Sequence, residues 1–82
     1  MIEIGKTYKH PQIKTPYTAL KNDGCNWIMV SAVAMLRKSL TDYVLDFTDY
    51  WKISEEYFKK SNMKEYDLRN LIVDDNFEIV ST

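Results

Sequence analysis

This chain of 82 residues has little of what most catalytic and metal sites are made from. Its one cysteine, Cys25, leaves no internal disulfide and no cysteine-rich metal centre, a usage that fits a reducing cytoplasm. Two glycines, Gly5 and Gly24, are too few for a glycine-rich phosphate loop, and Ser31, Ser39 and Ser54 lack a Gly-x-Ser-x-Gly setting. The sole histidine, His10, stands between Lys9 and Pro11 with no nucleophile or orienting partner at recognisable spacing. It reads as an exposed loop residue. No apolar run is long enough to span a bilayer, and Met1-Ile2-Glu3-Ile4-Gly5 has no basic segment leading into an apolar stretch. The expectation is a cytoplasmic protein with no catalytic residue, cofactor, metal or membrane contact.

What the chain does have is apolar and aromatic matter. Hydrophobic residues make up 45% and aromatics 13%, which places it among folded proteins, and its length sets it near the lower limit for one core. One domain, 1–82, is expected. Net charge is −1, but unevenly spread: residues 1–40 carry a balance of +4 and residues 41–82 a balance of −5. Such asymmetry marks either recognition faces or two solvated faces that attract each other.

The organising stretch is Cys25 to Leu36, a nearly unbroken apolar run behind the turn Asn22-Asp23-Gly24. Trp27, Ile28, Val30 and Val33 favour a strand, whereas Ala32, Ala34, Met35 and Leu36 favour a helix. The Asp-Gly step before the run signals a hairpin with Tyr17–Lys21, which predicts one long central strand anchored by Trp27, with Cys25 buried and inert. Ile2–His10 reads as the first strand, ended by Pro11. Thr41–Phe47 alternates and reads as a half-buried strand. Thr48 then caps a predicted amphipathic helix over Asp49–Lys60, with Tyr50, Trp51, Ser54, Tyr57 and Phe58 on one stripe. Met63–Tyr66 reads as a short extended piece, Asp67 as the cap of a brief helical turn, and Asp74-Asp75-Asn76 as a turn. Phe77–Val80 closes the chain as a strand expected to pair with the first, Phe77 and Ile79 facing inward.

Two surfaces invite a partner. Asp42, Asp46, Asp49, Glu55 and Glu56 surround Tyr50 and Trp51, and aromatic anchors rimmed by acid suit a basic protein surface. With no calcium-loop ligand order, this cluster holds no cation; its bland alternative is a solvated face. Lys6, Tyr8, Lys9, His10, Lys14 and Tyr17 interleave cations with rings, the composition of a surface that stacks bases, and Arg37 and Lys38 add to the basic half. A sequence pI near 5.7 lacks the excess of a dedicated nucleic-acid binder.

Gly5-Lys6-Thr7-Tyr8-Lys9-His10-Pro11, then Tyr17-Thr18-Ala19-Leu20 and Asp23-Gly24 before the apolar run, resembles the start of small SH3-like β-barrel proteins often encoded by bacteriophages. Phe77-Glu78-Ile79-Val80 resembles their closing strand. The resemblance implies an α+β chain with a small, bent antiparallel sheet of SH3-like β-barrel type and one amphipathic helix. It further implies a non-enzymatic accessory protein that binds a host macromolecule, as an inhibitor or modulator. The partner expected is a host protein with a basic surface; nucleic acid, bound through Lys6, Tyr8, Lys9, Lys14, Arg37 and Lys38, is the alternative. A homodimer stays open.

Overall fold

Ser31 is the hinge of the architecture. In a computed structural model describing residues 1–41 and 50–81, the apolar run divides there into strand β3 (Trp27–Ser31) and helix α1 (Ala32–Thr41). The expected single strand over Cys25–Leu36 is therefore corrected. The Ser31 hydroxyl accepts the Ala34 N–H at 3.4 Å, and Ala32 N–H donates to Pro16 O at 2.9 Å. A hydroxyl able to cap, followed by Ala32, Ala34, Met35 and Leu36, lets helix propensity take over where cross-strand pairing ends.

Upstream, β2 (Tyr17–Asn22) pairs antiparallel with β3, as the hairpin signal predicted. The turn is held by its own side chains. Asn22 Oδ1 accepts Gly24 N–H at 2.7 Å, Asp23 Oδ1 accepts from Cys25 and Asn26, and Gly24 takes φ 104. Cys25 is exposed in this turn, not buried, because the strand begins two residues after it. Before them, β1 is only Thr7–Lys9, shorter than the expected Ile2–His10. A turn intervenes: Lys6 N–H donates to Glu3 O and Gly5 adopts φ 86.

Beyond the undescribed segment, the expected helix over Asp49–Lys60 is also corrected. Tyr50–Ile53 is strand β4, paired in register with β3, and only Glu55–Lys60 is helical, as α2. Ser54 caps it by accepting Tyr57 N–H at 3.0 Å. Tyr50, Trp51 and Ile53 suit a strand, and the ladder offered by β3 outweighs a helical stripe. Of the expected strand over Thr41–Phe47, Thr41 belongs to α1 instead, and the rest, with the cap at Thr48, lies outside the described residues.

Next, β5 (Lys64–Glu65) joins the far side of β1, giving an antiparallel sheet in the order β4-β3-β2-β1-β5. The short extended piece and the Asp67 cap are found as expected, the latter heading a 3-10 turn, Leu68–Asn70. Then β6 (Ile72–Val73) and β7 (Ile79–Ser81) pair with each other in a separate two-stranded sheet. The last strand therefore does not pair with the first: β5 already occupies that edge of β1, and the Asp74-Asp75-Asn76 turn folds β7 back locally. Phe77 sits in this turn at φ 60 rather than in the strand. The described residues are thus α+β, with two helices among them where one was expected.

One sheet face carries Tyr8, Ala19, Trp27, Met29 and Ile53, covered by Ile2, Phe58 and Met63. Met29 is fully enclosed and Tyr8 meets Phe58 edge-on at 5.1 Å. On the opposite face Thr7, Thr18, Ile28 and Val30 are also buried, with the two threonine hydroxyls 2.8 Å apart. No described helix is long and apolar enough to cross a membrane.

Candidate binding surface

Six residues of helix rise only about 9 Å, while five strands span about 19 Å, so α2 covers part of the sheet face and leaves a margin. Phe58 turns inward; Tyr57, one residue earlier, lies along that margin and is 39% exposed. Four rings meet there in sequence. Tyr17 and Trp51 lie 5.3 Å apart between centroids, tilted by 57°. Trp51 meets Tyr57 edge-to-face at 5.5 Å, and Tyr57 stacks on His10 at 6.3 Å with 26° between planes.

The ladder explains how strands far apart in sequence supply this row. Tyr17 stands opposite Ser31, and Trp51 opposite Met29, on the same side of β3. Ser31 has no bulk to keep the two rings apart. His10 is fixed from the other end, where its Nδ1 accepts Gln12 N–H at 3.0 Å. It is half-buried against Tyr57 rather than the exposed loop residue expected. Beside the row, Asn26, Trp51, Lys52, Ile53, Ser54 and Tyr57 line an open groove of about 290 Å³.

The acidic residues assigned to this surface separate into different roles. Glu55 points inward: its Oε1 accepts Trp27 Nε1–H at 2.9 Å and Ile2 N–H at 3.3 Å. Its other oxygen is buried with no partner among the described residues. Glu56 is exposed and pairs with Lys60 at 3.1 Å along α2. Tyr50 is 43% exposed and Trp51 is half-buried against the core cluster. Asp42, Asp46 and Asp49 lie outside the described residues.

The basic set is scattered. Tyr8 is core, 4% exposed, and its hydroxyl accepts Glu3 N–H at 2.9 Å, so its ring has no free face for a base. Lys6 is shared between Glu3 at 2.6 Å and Glu65 at 3.6 Å. That contact holds the Glu3 carboxyl below its ordinary range and raises Lys6. Lys9 faces Lys64 across β1 and β5, while Lys14 lines a cavity with Ser31, Val33 and Phe77. Arg37 and Lys38 belong to α1, and their side chains lie outside the described set.

Among the described residues, no three His, Cys, Asp or Glu side chains gather as metal ligands. Sequence reading placed Trp51 and Tyr57 on one stripe but missed their contact with Tyr17 and His10, because strand pairing creates it. Comparison of the chain with protein-family models, curated proteins and solved structures finds no match.

Proposed function

We propose that this chain is a non-enzymatic binding module, an accessory protein of the phage type, that docks on a host protein through the row Tyr17-Trp51-Tyr57-His10. The observation carrying this reading is the row itself: four contacting rings at the margin that α2 leaves. Rings with large, stiff, part-open surfaces are the usual anchors of a protein interface. The SH3-like resemblance of Gly5–Pro11 and Tyr17–Gly24 supports the phage assignment.

With Glu55 engaged inward and Glu56 paired, any acidic steering of a basic partner falls to Asp42, Asp46 and Asp49, the last of which adjoins Tyr50 in sequence. Tagged wild type, Tyr57→Ser and the double variant Asp46→Lys with Asp49→Lys, compared in capture from bacterial lysate, test this reading. The Tyr57 variant is expected to stay folded with a modestly lower melting temperature, from the lost ring contacts, and to lose the captured protein, and the double variant to weaken capture. Equal capture by wild type and Tyr57→Ser overturns the assignment of the row. Salt-sensitive retardation of an oligonucleotide, lost in Lys14→Gln, would transfer the function to the nucleic-acid alternative.

A further inference from the structure

At the opposite edge of the sheet, Lys9 and Lys64 stand directly across from each other on β1 and β5. Directly opposed residues leave the sheet on the same side, and like charges so placed repel. Neither lysine has an ion-pair partner among the described residues. Both line an open cavity of about 230 Å³ together with Pro11, Asn62, Glu65 and Tyr66. The Tyr66 hydroxyl is buried without a partner among the described residues. Asn62, held at φ 56 where the chain leaves α2, stands at the same cavity. Glu65 does not neutralise the pair, since alternation turns it from the Lys64 side and its carboxylate lies 3.6 Å from Lys6.

We propose that this cavity is an oxyanion site that takes one phosphate-type dianion between Lys9 and Lys64. Two ammonium groups match a dianion in charge, and charge-assisted N–H donors are the strong ones for such an oxyanion. A long polyanion fits less well. The chain, of net charge −1, offers it no extended basic track beyond the two lysines among the described residues. The site does not depend on the aromatic row. A purely protective role for edge lysines, which discourage strand addition, predicts no response to anions.

Inorganic phosphate titrated into the wild-type protein at constant ionic strength, followed by amide chemical shifts and by melting temperature, tests the proposal. The expected result is a saturable response concentrated at Lys9, Asn62, Lys64 and Tyr66. Lys64→Gln and Lys9→Gln are expected to weaken it roughly tenfold or more, about 1.4 kcal/mol or above. Their melting in chloride should be unchanged or higher, because the repulsion is gone. Tyr66→Phe supplies a second variant that keeps the ring. A phosphoserine peptide run in parallel separates the sources: tighter binding than phosphate assigns the site to a phosphorylated side chain, and equal binding to the free ion. No saturable wild-type response, or an equal response in Lys64→Gln, overturns the site. Tighter binding of an oligothymidylate per phosphate overturns the single-dianion reading.

Discussion

The indole of Trp27 donates its Nε1–H to Glu55 Oε1 at 2.9 Å, joining the first residue of α2 to the centre of the sheet. The same oxygen receives Ile2 N–H, so one carboxylate satisfies two groups at the border of the core. Glu55→Ala is expected to cost about 1–3 kcal/mol in urea denaturation, since it strands both donors. Glu55→Gln, which keeps an acceptor oxygen, should cost less. Equal stability of wild type and Glu55→Ala would show that the bond contributes nothing net.

Met29 is fully buried between β2 and β4. Met29→Ala should destabilise by about 2–5 kcal/mol, through lost burial and the cavity left behind. The midpoint of denaturation measures it, and a shift of less than about 1 kcal/mol would contradict a close-packed centre.

Ser54 accepts Tyr57 N–H at the start of α2. Ser54→Ala should cost about 1 kcal/mol, while Ser54→Asp, another good cap, should be nearly neutral. Thermal melts of the two variants side by side distinguish loss of the cap from a general effect of substitution.

Acid should weaken the fold through carboxylates held below their ordinary range. Backbone N–H groups of Asn26 and Cys25 do this to Asp23, and Arg69 does it to Asp67. For such groups the folded state prefers the charged form, so their contribution is complete above the unfolded value, about 3.9, and is lost as pH falls through the depressed one. Asp23→Asn keeps an acceptor but does not titrate. Its melting temperature should fall less steeply than that of wild type between about pH 5 and pH 2.

The parts of the fold legible in the sequence are those whose cause is local. Asn22-Asp23-Gly24 bends because Asn22 and Asp23 satisfy the turn's own N–H groups and Gly24 accepts positive φ. Asp67 caps its 3-10 turn for the same kind of reason, by accepting Arg69 N–H at 3.0 Å. Periodicity failed where two structures share one pattern. Tyr50, Trp51, Ser54, Tyr57 and Phe58 fit a helical stripe, yet β3 recruits the first two into a strand while the rings still converge. At Ser31 to Ala32 hydropathy carries no mark of the change from strand to helix, since apolar residues continue through it.

The candidate sites were legible only as ingredients. Trp51 and Tyr50 were visible as aromatic anchors, but Glu55 looked like one more acid on an outer face. Its ties to Trp27 and Ile2 span 28 and 53 residues, a distance no spacing rule reaches. Lys64 was invisible for the same reason: only the register of β1 against β5 sets it opposite Lys9.

The separation of β6–β7 from the five-stranded sheet bears on how unfolding is observed. A two-stranded ribbon is marginal alone, so its amides should exchange with solvent through openings that leave the larger sheet intact. Both tryptophans, Trp27 and Trp51, belong to the larger sheet. An intrinsic-fluorescence melt is therefore blind to the ribbon, and a single smooth transition by that probe is no proof that the whole chain unfolds as one unit.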